Sequence, residues 1–171
     1  MPTPTYVAIA KTVLTGNQAT ITFSGIPSTY TDLLLSISAR SDRAASLVDT
    51  ITYNFNSSTT NFSNNRLEGT GASGAATLNT TNTSLIRVTA SSVTSNTFTN
   101  AELYIPNYTG SANKPLSSTF AYENNATTAY VGAVAGLWSN TSAITSITLG
   151  LVDGPNFVSG SRFDLYGIKN S

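Results

Sequence analysis

The chain has no cysteine and no histidine. That removes disulfide frameworks, thiolate nucleophiles, thiolate-held zinc and imidazole bases. Charge is the next scarcity: 9% of the 171 residues are charged, against about 25% in an ordinary soluble domain. Lys and Arg together number 8, as do Asp and Glu, so the net charge is zero. Nucleic-acid binding through phosphate neutralisation needs a surplus of Lys and Arg that this balance lacks. No apolar run approaches the ~18 residues of a membrane-spanning helix. The start, Met1-Pro2-Thr3-Pro4-Thr5, has neither a basic n-region nor an apolar h-region. Synthesis in a cytoplasm without a secretory signal is therefore expected.

Polarity comes instead from Ser, Thr and Asn, about two residues in five. Disorder is not the expected result, because the apolar residues fall in ordered alternation and disordered chains combine low hydrophobicity with high net charge. Leu33, Leu35, Ile37 and Ala39 alternate with Leu34, Ser36 and Ser38; Ala101, Leu103 and Ile105 alternate with Glu102 and Tyr104; Leu116, Phe120 and Tyr122 alternate with Ser117, Thr119 and Ala121. A period of two is the mark of half-buried strands. Tyr6–Leu14 and Gln18–Phe23, separated by Gly16-Asn17, read as one hairpin. The closing segment reads as a second, with Ile147, Leu149 and Leu151 joined to Phe163 and Leu165 through the turn Asp153-Gly154-Pro155-Asn156. Gly69 to Asn82, with three glycines, reads as a long surface loop.

Roughly ten short strands, evenly spaced turns and no helical stretch predict an all-β fold, a two-sheet antiparallel sandwich, jelly-roll-like. The expected organisation is an extended arm over residues 1–5 and a single sandwich domain over 6–171.

The carboxylates, Asp32, Asp42, Asp49, Glu68, Glu102, Glu123, Asp153 and Asp164, show no spacing that pairs two of them across a substrate. Asp32, Asp49 and Asp153 sit at strand ends, where Asp caps and turns. No catalytic residue, cofactor or metal site is expected. The residues that stand out are contact residues. Arg40 and Arg43, beside the strongest strand, suit an intermolecular ion pair, with a solvated surface pair of little energetic weight as the first alternative. Tyr104 and Tyr166 fall opposite the aliphatic faces of their strands, and with Trp138 they suit a partner interface or stacking on sugar rings. Pro2, Thr3, Pro4 and Thr5 suit an arm lying along a neighbour, since proline cannot donate to a ladder.

Three stretches carry a resemblance: Phe23-Ser24-Gly25-Ile26-Pro27-Ser28-Thr29-Tyr30-Thr31-Asp32-Leu33, Tyr104-Ile105-Pro106-Asn107-Tyr108-Thr109-Gly110, and Ser161-Arg162-Phe163-Asp164-Leu165-Tyr166-Gly167-Ile168. Together they resemble small β-rich structural proteins of tailed bacteriophages. The resemblance implies a non-enzymatic virion protein, first a capsid decoration (cement) protein that binds and stabilises the outer shell, and alternatively a tail-fibre or head-fibre module binding host glycan. It implies the major capsid protein or other virion proteins as partners, a homo-oligomer with trimers favoured, and a place on the virion. It carries over no catalytic residues.

Overall fold

The computed structural model describes residues 5–79, 83–124 and 129–169. Among these residues twelve strands form, β1 Tyr6–Val13, β2 Ile21–Ser24, β3 Asp32–Ala39, β4 Val48–Phe55, β5 Phe62–Gly69, β6 Gly74–Asn79, β7 Ser84–Thr89, β8 Thr99–Ile105, β9 Lys114–Glu123, β10 Ala129–Trp138, β11 Ser146–Leu151 and β12 Arg162–Ile168. They make two antiparallel sheets of unequal width. The larger has eight strands in the order β1-β12-β3-β8-β9-β10-β5-β6, and the smaller has four in the order β2-β11-β4-β7. The all-β, two-sheet sandwich expected from the alternation is what forms.

Alternation decides which side chains meet between the sheets. In β9, Leu116, Ser118, Phe120 and Tyr122 are buried while Pro115, Ser117, Thr119 and Ala121 are exposed. Leu33, Leu35 and Ile37 of β3, Leu103 and Ile105 of β8 and Phe163 and Leu165 of β12 meet Ile51, Tyr53 and Phe55 of β4 and Ile147 and Leu149 of β11 in one continuous core. Burying such side chains contributes about 1.5–3 kcal/mol each, which is how the chain holds together without a disulfide. At one end of the core the rings of Phe62 and Trp138 stack at 5.9 Å, and Phe55 meets Trp138 edge-on at 5.6 Å.

Both expected terminal hairpins are replaced by crossovers. β1 pairs with β12 in the large sheet, and β2 pairs with β11 in the small one. Likewise β11 and β12 lie in different sheets. The segment 152–161 is therefore not a tight turn but a cap over the sandwich end. Phe157 is fully buried in it against Phe163, ring centroids 5.1 Å apart. Asp42 accepts from the Asn156 backbone N–H and side-chain amide, both at 2.8 Å. Asp49, the second residue of β4, is buried and caps the strand end as expected of it. Its carboxylate accepts from Ser41 Oγ at 2.7 Å and from the Gly154 N–H at 2.8 Å. The loop expected over Gly69–Asn82 also contains a strand: β6 pairs with β5 from Gly69↔Gly74 to Asn64↔Asn79. In the expected N-terminal arm, the Thr5 carbonyl accepts from the Lys169 N–H at 3.0 Å, and Pro2, Thr3 and Pro4 lie outside the described residues.

Candidate interaction surface

The inward face of the large sheet is filled by the core. Its outward face is open, and the charges on it gather toward β1, β12 and β8: Lys11, Asp164 and Glu102 share one row and Arg162 lies on the next. Register sets what lies there, because residues directly opposite on neighbouring strands share a face. One row crosses all eight strands: Ala8, Tyr166, Leu34, Tyr104, Ser117, Ala135, Asn65, Leu78. None of these residues carries charge. Beside it toward β6 runs Thr119, Ala133, Leu67, Ala76, followed by Ala121, Val131, Gly69, Gly74. Leu67 is 60% exposed, Val131 64% and Leu78 71%. Isolated exposed aliphatics need no explanation, but three on adjacent rows of one face make a patch. A shallow depression of about 690 Å³ lies among Leu67, Ala76, Val131 and Ala133, and another of about 580 Å³ opens between Gly71, Phe98 and Tyr130.

The tyrosine half of the face is held in place from within the sheet. Tyr104 Oη donates to Asp32 Oδ2 at 2.8 Å, and Asp32 Oδ1 accepts from the Asn107 N–H at 2.8 Å. Burial and the Asp32 carboxylate both push the Tyr104 phenol above its ordinary range. Tyr166 is half-buried two strands away, across Leu34. Tyr6, 57% exposed, extends the aromatic side at the sheet edge.

The aliphatic half sits on a buried ionic layer. Glu68 of β5 accepts a two-pronged contact from Arg87 of β7, Nε to Oε2 and Nη2 to Oε1, each 3.0 Å. Arg66 Nε lies 3.1 Å from the same Oε2 but is not aligned to donate to it. The contact joins an edge strand of the small sheet to the outer strands of the large one, so the patch rests on a rigid support. The Arg87 hydrogen bond holds the Glu68 carboxyl below its ordinary value, against the opposing effect of burial. The same contact raises the Arg87 guanidinium, while burial lowers that of Arg66. Behind this layer Tyr122 and Tyr130 stack at 5.1 Å, and burial pushes the Tyr122 phenol up.

The remaining residues singled out from the sequence divide. Trp138 is 1% exposed and belongs to the aromatic core, so its indole is not a surface contact. The residues around it explain why: β10 turns Val134 and Trp138 inward at even spacing, which its glycines disguise. Arg40 is also buried. Its guanidinium donates to four carbonyls of the β7–β8 connection, those of Ser91, Val93, Thr94 and Thr97, at 2.8 to 3.2 Å. It organises that loop instead of offering a charge to a partner. Arg43 stays at the surface and pairs within the chain, with Asp153 at 2.9 Å. Thr5 is exposed at the start of β1.

The buried acids are partnered within the chain: Asp32 by Tyr104 and the Asn107 N–H, Asp49 by Ser41 and the Gly154 N–H, and Asp164 by Arg162. Among the described residues no group of three or more Asp, Glu, His or Cys is placed to hold a metal ion, and no helix is long and apolar enough to cross a membrane. Leu67, Leu78 and Val131 were not marked by sequence reasoning. Their signal was faint: Leu78 lies in a stretch of small and polar residues, and Val131 in one dominated by Gly and Ala. No family model, curated protein or solved structure matches the chain.

Proposed function

We propose that the chain is a non-enzymatic structural protein of a phage virion, a capsid decoration protein that docks on the shell through the outward face of its eight-stranded sheet and stabilises it. The observation that carries the reading is the uncharged row across all eight strands, which ends in exposed Leu78 and runs beside exposed Leu67 and Val131. Apolar patches of this kind on a rigid body are what protein interfaces use. The three stretches that resemble phage structural proteins supply the kind of partner, a major capsid protein or another virion protein. The occupied carboxylates fit a role without chemistry: Asp42 and Asp49 hold the end cap, Asp32 holds Tyr104, and Glu68 holds Arg87. The test is the copy number of the chain in purified particles, with its position by electron microscopy. Copies comparable in number to the capsid protein are expected on the shell. A handful per particle, at the tail, would move it to a fibre.

The tyrosines of the same face favour a second reading, a fibre module that binds host glycan. Tyr6, Tyr104 and Tyr166 gather on one side of the sheet, and aromatic faces stack on sugar rings. A glycan array with clear hits abolished by Tyr166→Ala would favour it; an empty array argues for the shell.

A further inference from the structure

A sheet edge is a row of unpaired N–H and C=O groups, and natural sheets protect such edges with short strands, bulges, charges or covering segments. Three of the four edges here are protected. β1 has a register shift between Ala8 and Ala10 and carries Lys11. β2 is four residues long. β7 is bridged at Thr89 by Arg40 and carries the Arg87–Glu68 contact. β6 has none of these devices: six residues, Gly-Ala-Ala-Thr-Leu-Asn, with no proline, no charge and no register shift against β5. Among the described residues it has no neighbour on its far side.

We infer that β6 pairs antiparallel with β6 of a second copy about a two-fold axis at Ala76, joining two eight-stranded sheets edge to edge. The occupant follows from the sequence of the edge. An isologous contact sets each residue against its own symmetry mate's surroundings, so a charged edge would repel itself; this edge has no charge. An axis at Ala76 places Leu78 of each copy opposite Gly74 of the other, on the outward face. Nothing in the chain would crowd a side chain there, since a Cβ built on Gly74 meets only the Glu68 carbonyl at 3.9 Å. The sheet already uses this fit twice between β9 and β10, where Phe120 lies over Gly132 and Leu116 over Gly136. The pairing covers Leu78, the most exposed large apolar side chain among the described residues.

The inference does not rest on the proposed virion role, and its test uses the isolated chain. Light scattering coupled to size exclusion, at tens of micromolar chain, is expected to give a dimer. Leu78→Lys, at an exposed position, is expected to weaken association at least tenfold with an unchanged far-ultraviolet circular dichroism spectrum. Because the chain has no cysteine, Ala76→Cys is expected to form a disulfide-linked dimer under mild oxidation, the symmetric Cα pair falling within disulfide reach. Ser111→Cys, in the exposed loop before β9, is expected to form none. A monomer at every concentration, a trimer, or a dimer that is indifferent to Leu78→Lys and uncrosslinked by Ala76→Cys would overturn the pairing. None of these outcomes bears on whether the chain sits on a particle.

Discussion

Glu68 shows how much one side chain controls here. Among the described residues its carboxylate is the one acid paired with Arg66 and Arg87, and it ties the two sheets together. Replacing it by Gln leaves the buried Arg66 and the half-buried Arg87 without a counter-charge. The expected cost is about 3 kcal/mol, as for other broken buried pairs, read by chemical denaturation at neutral pH. The pH dependence has a definite sign. The folded carboxyl titrates below its ordinary value of 4.5. Its stabilisation is therefore fully present above the unfolded value and is lost as pH falls through the lower folded one. Melting temperature is expected to drop on acidification below about 4.5, with a shallower drop in Glu68→Gln. An equal slope in both proteins would show that Glu68 is not the group responsible. At this scale the sequence was only partly legible. The partners of a charge come from strands far apart in the chain, so Arg40 looked like a surface cation and is in fact a loop clamp.

Strands that alternate cleanly announced which residues turn inward, and β3, β8 and β9 bury the residues expected of them. Alternation does not announce the partner strand. Ile147 of β11 and Phe163 of β12 both point into the core, one from each sheet, and a hairpin would have given the same pattern. β6 was invisible because Gly, Ala and Asn have low strand preference. β10 was blurred by its glycines, which are structural: a Cβ on Gly132 would run into the Phe120 ring that packs over it. Gly132→Ala is therefore expected to destabilise the fold by about 1–3 kcal/mol, the range for overpacking. Combining it with Phe120→Leu, which frees the space, should recover part of the loss. A Gly132→Ala protein as stable as the original would mean that the Phe120–Gly132 fit is loose.

On the scale of the molecule, a lopsided sandwich leaves one broad sheet face bare, and its character follows from composition. Around Leu67, Leu78 and Val131 the face is built from Leu, Val, Ala, Gly, Ser, Thr and Asn, so a contact there would be governed by apolar burial instead of ion pairing. Fold class was readable from spacing alone. The face was half readable, through Tyr104 and Tyr166, and half hidden, through Leu67, Leu78 and Val131. The most direct test of the central claim is co-sedimentation of purified chain with undecorated capsids, comparing the original protein with Leu67→Lys/Val131→Lys. Both substituted positions are exposed, so folding should be unaffected. The expected result is saturable binding that persists at high salt and falls at least tenfold in the double variant. Equal binding by both proteins, or none by either, would contradict docking through this face.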